Sequence, residues 1–321
     1  MNAIKNKLLL LEFLMANIDI NSYRVVDKDS HDSCIGCIEH DMEVSGVKAN
    51  VRLHYLKFNG NGTPMVKALA NLLYEYIIDY CISSANRPES LNARDSARLT
   101  KEARKLFRHP EISEDNPDRT GEAGELLLFF LMEAILGAPQ IVAKMEMKTN
   151  HKDEVKGSDG IHARYNEVDE IVDFYFGEAK LYVDVNGAIK AALKSIEDFH
   201  SVNMLEHEFT MVTKHFKYSN VETKNALTSL IISGEPGPNA RLNHACLIGY
   251  NFEAFKSLNG TTPKDITDDF INKFKVNAGG ICDFLQNKIN GIVCKELSFE
   301  FFFIPFPSVD DFRNAFNQAL D

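Results

Sequence analysis

No stretch of this chain stays apolar for the roughly 20 residues that a bilayer-spanning helix needs, so no membrane span is expected. The run Leu8-Leu9-Leu10-Leu11 meets Glu12 at once and is closed by no small-residue cleavage site, so a buried helix over 8–15 is expected rather than a signal peptide. Positive charge is short: 35 Lys and Arg stand against 46 Asp and Glu, a formal net charge of -11. That excludes a protein that coats nucleic acid by bulk charge alone. An enzyme with a local basic track and a cation-filled acidic site is not excluded. Cysteine is sparse too, with six residues scattered from Cys34 to Cys294, a pattern of reduced thiols in a cytoplasmic protein rather than of a disulfide framework. The glycine-rich stretches at 59–63 and 234–238 match neither a P-loop nor a dinucleotide fingerprint, so no ATPase motor is expected in this chain. There is no internal repeat and no low-complexity segment.

What is present is a globular composition, 45% hydrophobic and 25% charged over 321 residues, enough for a catalytic domain with a smaller companion. Residues 1–118 read as an N-terminal α/β region, packed on the core and available to a partner or DNA. Within it, 23–26 is a short strand candidate, and 47–58 (VKANVRLHYLKF) alternates as a half-buried strand should. The turn Asn59-Gly60-Asn61-Gly62 ends that strand, and Pro64 opens a helix over 65–82. A second helix spans 92–109, where Arg94, Arg98, Lys101, Lys105 and Arg108 recur at steps of four and three and so share one face. Such a stripe is either a solvated helix face or a track for a nucleic-acid backbone, and both readings stand. The polar segment 111–119 marks a boundary.

From Gly121 onward the order is regular. A helix over 121–137 precedes strands at 140–148, 158–164 and 171–183, an amphipathic helix at 186–201, a strand at 244–251, a helix at 265–290 and a strand at 297–304. A three-strand meander followed by a crossover predicts an α/β fold with a mixed central sheet flanked by helices.

Two pieces of this region carry chemistry: Gly157-Ser158-Asp159-Gly160 and Gly177-Glu178-Ala179-Lys180. Residues two apart in a strand project to one face, so Glu178 and Lys180 point together, and an antiparallel neighbour can bring Asp159 beside them. The apolar surroundings of Glu178 make a buried acid and lysine costly unless they meet partners or a metal. Two carboxylates make a hard oxygen site suited to Mg2+, and a lysine beside it can orient water or steady charge on a phosphate. In Thr120-Gly121-Glu122-Ala123-Gly124-Glu125 two acids share a face near a helix start; they either complement the helix dipole or supply a third ligand, with Glu125 preferred to Glu122.

This constellation resembles the PD-(D/E)xK nuclease superfamily, whose core is helix, three-strand meander, helix, strand. The resemblance implies a restriction-endonuclease-like core over 119–321, with Asp159, Glu178 and Lys180 as its catalytic residues and Glu125 as the helix-borne acid. Asp159, Glu178 and Glu125 would then ligate Mg2+, with Mn2+ as a substitute. Ser158-Asp159 replaces the usual Pro-Asp. Over roughly residues 45–305 the chain also resembles the nuclease subunits of Hachiman-type bacterial anti-phage defence, through VRLHYLKFNGNGTP, RTGEAGELLLFFLMEAILG, KGSDGIHARY and FGEAKLY. That resemblance implies Mg2+-dependent cleavage of DNA and a superfamily 2 helicase as partner. The alternative is a catalytically silent adaptor of the same fold that binds DNA or regulates the helicase.

Several residues have bland and sharp readings. His31, Cys34, Cys37 and His40 have zinc-ligand types, but uniform steps of three make a cramped loop, and ordinary residues in a surface turn are expected instead. His162 lies an odd step from Asp159 and is expected on the opposite face. Lys190 and Lys194, one turn apart, are either phosphate contacts or solvated.

Overall fold

The computed structural model describes residues 19–107, 121–148, 157–201 and 204–321, with the backbone alone for 39–43. The helix expected at 8–15, and Arg108, lie outside the described residues. In chain order the first half holds α1 (Lys28–Cys34), β1 (Ile35–Glu43), β2 (Lys48–Leu56), α2 (Val66–Glu75), α3 (Ile77–Cys81) and α4 (Ala93–Phe107). Then come α5 (Glu122–Leu136), β3 (Gln140–Val142), β4 (Gly160–Asn166), β5 (Ile171–Tyr182), α6 (Val185–Ser201), α7 (Met204–Lys214) and α8 (Val221–Ser229). A small ribbon of β6 (Ile231–Ile232) and β7 (Glu235–Pro236) precedes β8 (Ala240–Asn251), α9 (Pro263–Ile289), β9 (Ser298–Phe306) and α10 (Val309–Leu320).

Seven strands form one mixed sheet in the order β1-β2-β9-β8-β5-β4-β3. The middle four, β2, β9, β8 and β5, run parallel, and antiparallel strands flank them: β1 beyond β2, and the meander β5-β4-β3 on the other side. The boundary expected at 118/119 falls outside the described residues. The strands on either side of it belong to one sheet, because β2 pairs directly with β9.

Both faces are covered, as parallel strands require. Alternate residues of β9 feed the two layers. Phe302, Ile304 and Phe306 enter the core that holds α2, α3, α4, α5 and α10, whereas Phe301 and Phe303 enter the core under α6 and α9. A third cluster, with Phe174 and Phe176 of β5 against Phe199 and Phe209, fills the space beneath α7.

Helix α5 lies unusually close to β5. Gly124 meets the strand with no side chain, and a Cβ there would lie 3.1 Å from Leu181 Cγ and 3.5 Å from Ala179 Cβ. Gly177 likewise gives room to Leu128. Overpacking a filled core costs about 1–3 kcal/mol. Gly124→Val is therefore expected to lower the unfolding free energy by that order, read as a lower denaturant midpoint at unchanged slope, and an unchanged midpoint would contradict this close packing.

Three expected elements differ. The short strand anticipated over 23–26 is absent: Ile20–Tyr23 form a 3-10 turn, capped by Asp19, and irregular chain follows it. The helix anticipated over 65–82 breaks at Tyr76, whose N–H bonds to Leu73 O at 3.0 Å in a tighter turn while its hydroxyl reaches Ser30 Oγ at 2.9 Å. The strand anticipated over 140–148 stops at Val142 and becomes a 3-10 turn, Lys144–Met147. A continued strand would send Lys144, Glu146 and Lys148 to one face. The turn instead lets each find its own partner: Glu208, Ser83 and Glu122.

Candidate active site

The site forms where β4 leaves β5. The antiparallel register ends at Gly160 opposite Gly177, while β5 continues to Tyr182 with β8 on its other side. Asp159 N–H makes the last rung, to Gly177 O at 2.8 Å. Backbone groups of alternate residues face the vacated edge, and side chains take the place of the missing strand there. Asp159 Oδ2 accepts from Ala179 N–H at 2.7 Å, and the Arg313 guanidinium of α10 donates to Leu181 O at 2.8 Å. This register puts Asp159 beside Glu178, and Glu178 Oε1 forms an ion pair with Lys180 Nζ.

Glu125 arrives from the first turn of α5, where Gly124 lets the helix lie on Ala179 and Leu181. It accepts a hydrogen bond from the Tyr80 hydroxyl at 3.1 Å. Glu122, the less favoured acid, lies deeper and pairs with Lys148 at 2.6 Å. Glu125, Asp159 and Lys180 line one cavity of about 500 Å3 together with Tyr80, Lys144 and Lys148.

The acids crowd one another. Burial pushes the Asp159 carboxyl well above the usual carboxylate range, and the Glu125 and Glu178 carboxylates push it the same way. Burial also raises Glu125, with Glu178 adding to it against the pull of Lys148, Tyr80 and Lys144. Burial works to lower Lys180, but Glu178 outweighs it and the ammonium is held charged. Burial and Glu125 keep the Tyr80 phenol protonated as a donor. A bound cation would relieve this repulsion. Among the described residues no three His, Cys, Asp or Glu side chains converge as a ready-made metal cluster. The donor set nonetheless fits Mg2+, which takes one or two carboxylates and keeps several waters. Asp159, Glu125 and Glu178 are the residues that would hold it, Glu178 with the oxygen that Lys180 leaves free.

Tyr80, Lys144 and Lys148 were invisible to sequence reasoning. Tyr80 sits in a helix read for its apolar face, and the two lysines sit in what read as a strand.

Other expected residues lie apart from this cavity. His162 is buried, with Nδ1 donating to Ala138 O at 2.8 Å, and burial lowers it to about 3, so it is a neutral core histidine. Lys190 lies over the Phe284 ring and Lys194 pairs with Asp198 at 2.8 Å. His31, Cys34 and Cys37 occupy no surface turn: His31 and Cys34 are buried at the end of α1 and Cys37 is in β1, while the His40 side chain lies outside the described residues. No disulfide joins any of the six cysteines among the described residues. On α4, Arg94, Arg98, Lys101 and Lys105 are exposed, and the opposite face buries Leu99, Ala103 and Phe107. The Phe107 ring stands 6.0 Å from that of Tyr80, which links this basic helix to the site. No helix among the described residues is long and apolar enough to cross a membrane.

A family model described as HamA matches residues 32–320. No curated protein matches the chain.

Proposed function

Since this chain belongs to the HamA family and is thereby a component of Hachiman-type defence, we propose that it is the nuclease of that system, a Mg2+-dependent endodeoxyribonuclease restrained by a superfamily 2 helicase partner. The observation that carries the reading is the opening of the sheet at Asp159. There one strand's departure gathers Asp159, Lys180 and Glu125 around a single cavity, with Glu178 ion-paired to Lys180. Mg2+, or Mn2+ in its place, would supply charge neutralisation and lower the cost of deprotonating water. Lys180, held charged by Glu178, steadies the phosphate and orients the attacking water. Tyr80 fixes the Glu125 carboxylate by its hydrogen bond.

The silent-adaptor reading is favoured by one observation, the lack of a ready-made three-ligand cluster among the described residues. A plasmid assay separates the two. Supercoiled DNA incubated with the chain, alone and with its helicase, is expected to be nicked or linearised in Mg2+ and spared in EDTA. Intact plasmid under every condition favours the adaptor.

The exposed basic residues of α4 are the proposed DNA track. Removing Arg94, Arg98, Lys101 and Lys105 together is expected to weaken DNA binding similarly across sequences. The slope of log K against log salt should flatten by about 0.9 for each phosphate that the variant no longer neutralises. An unaltered slope would return the stripe to a solvated face.

A further inference from the structure

In the wall of the cavity lies a buried ion pair that the proposed chemistry does not use. Glu208 of α7 is fully buried, and its Oε1 accepts from Lys144 Nζ at 2.7 Å and from Ser158 N–H at 2.6 Å. Lys144 Nζ donates in turn to Ser158 O at 2.6 Å and to Ser158 Oγ at 3.3 Å. Both backbone polar groups of the residue before Asp159 are therefore gripped by one pair of charges. The peptide joining Ser158 to Asp159 is locked at both ends, its carbonyl by Lys144 and its N–H by Gly177 O. Ala179 then fixes Oδ2 of the side chain.

The backbone is shaped to admit this pair. Gly157 has φ +110, and a Cβ there would fall 1.9 Å from Glu208 Oε1, so any other residue would displace the carboxylate. Glu208 Oε2 has no hydrogen-bond partner among the described residues. A carboxylate buried with one oxygen unsatisfied is an expensive way to gain stability, since apolar packing often does as well as a buried ion pair. Apolar packing could not hold Ser158 at both its N–H and its carbonyl.

We propose that Lys144 and Glu208 are positioning residues, a buried clamp that acts through Ser158 to hold Asp159 at the angle its cation requires. This rests on the reading of Asp159 as a metal ligand. Partners behind a ligand commonly change metal affinity by about 10–100-fold when altered.

The test uses the full chain and Mn2+ as the probe, with free ion read by electron paramagnetic resonance and folding by thermal melting. Lys144→Met removes the cation. Glu208→Asp keeps the charge but is too short to reach Ser158 N–H and Lys144 together, and it decides alone if Lys144→Met does not fold. Each folded variant is expected to melt cooperatively and to bind Mn2+ about tenfold more weakly or worse. A folded variant that binds Mn2+ as tightly as the unaltered chain overturns the clamp and leaves the site reading intact. An unaltered chain with no Mn2+ binding that Asp159→Asn removes overturns the site reading, and the clamp falls with it.

Discussion

Plasmid is expected to survive the Glu178→Ala/Lys180→Ala chain in Mg2+, with cleavage at least on the order of 10^3-fold slower than the proposed function expects of the unaltered chain. The size reflects the two groups removed. On the proposed function, a metal ligand and a cation held against the phosphate would each stabilise charge in the transition state by several kcal/mol, and about 1.4 kcal/mol is tenfold in rate. Folding should be unaffected, because Glu178 and Lys180 are each other's ion-pair partners. Both are only part-buried, so removing the two together strands no charge inside the protein. The single variants are the less informative ones: Glu178→Ala leaves a part-buried ammonium without its carboxylate. Melting curves beside the cleavage assay separate lost chemistry from lost structure. Persistent cutting by a folded double variant would place the chemistry elsewhere.

The second large effect runs opposite to the usual cost of mutation. Asp159→Asn is expected to abolish cleavage and yet stabilise the metal-free protein at neutral pH. Burial and neighbouring carboxylates raise Asp159 above its ordinary 3.8 and Glu125 above its ordinary 4.5. A carboxyl raised on folding binds its proton more tightly in the native state, so its contribution to stability is full below the unfolded value. That contribution is lost as pH climbs through the folded one. At pH 7 without metal, these acids therefore oppose folding. Replacing Asp159 by Asn removes its charge and keeps an oxygen for the Ala179 N–H. The melting temperature in EDTA should rise by roughly 2 °C for each kcal/mol of repulsion relieved, and its fall between acid and neutral pH should shrink. Mg2+ should stabilise the unaltered chain and not the variant. A variant that melts lower than the unaltered chain in EDTA at pH 7 would mean that the acids are not in conflict.

Glu178 and Lys180 were legible because strand alternation is a local rule that two residues suffice to satisfy. Asp159 needed the meander's register, which hydrophobic pattern implied but could not align to the residue; the Gly160–Gly177 pairing supplies it. Glu125 was separable from Glu122 only by which acid the helix turns toward the strand, and Gly124 settles that by its close approach. Tyr80, Lys144 and Glu208 left no trace of this kind. Their contacts span 45 residues from Tyr80 to Glu125 and 64 from Lys144 to Glu208, and each lies in a segment whose periodicity reports only packing. The same holds for the N-terminal strands: nothing in VRLHYLKF says that it will pair with β9, near the other end of the chain.

The strand end that β4 abandons also bears on how this protein keeps apart from its own copies. A strand with unpaired amides and carbonyls invites another chain to add itself to the sheet, the usual route to aggregation. Here a carboxylate caps Ala179 N–H and a guanidinium caps Leu181 O, so Asp159 and Arg313 act as chain terminators for the sheet. Removal of the Asp159 side chain by alanine, unlike its replacement by asparagine, would unblock one of those positions. A chain altered in that way would carry a second defect, a tendency to self-associate, separate from any loss of activity.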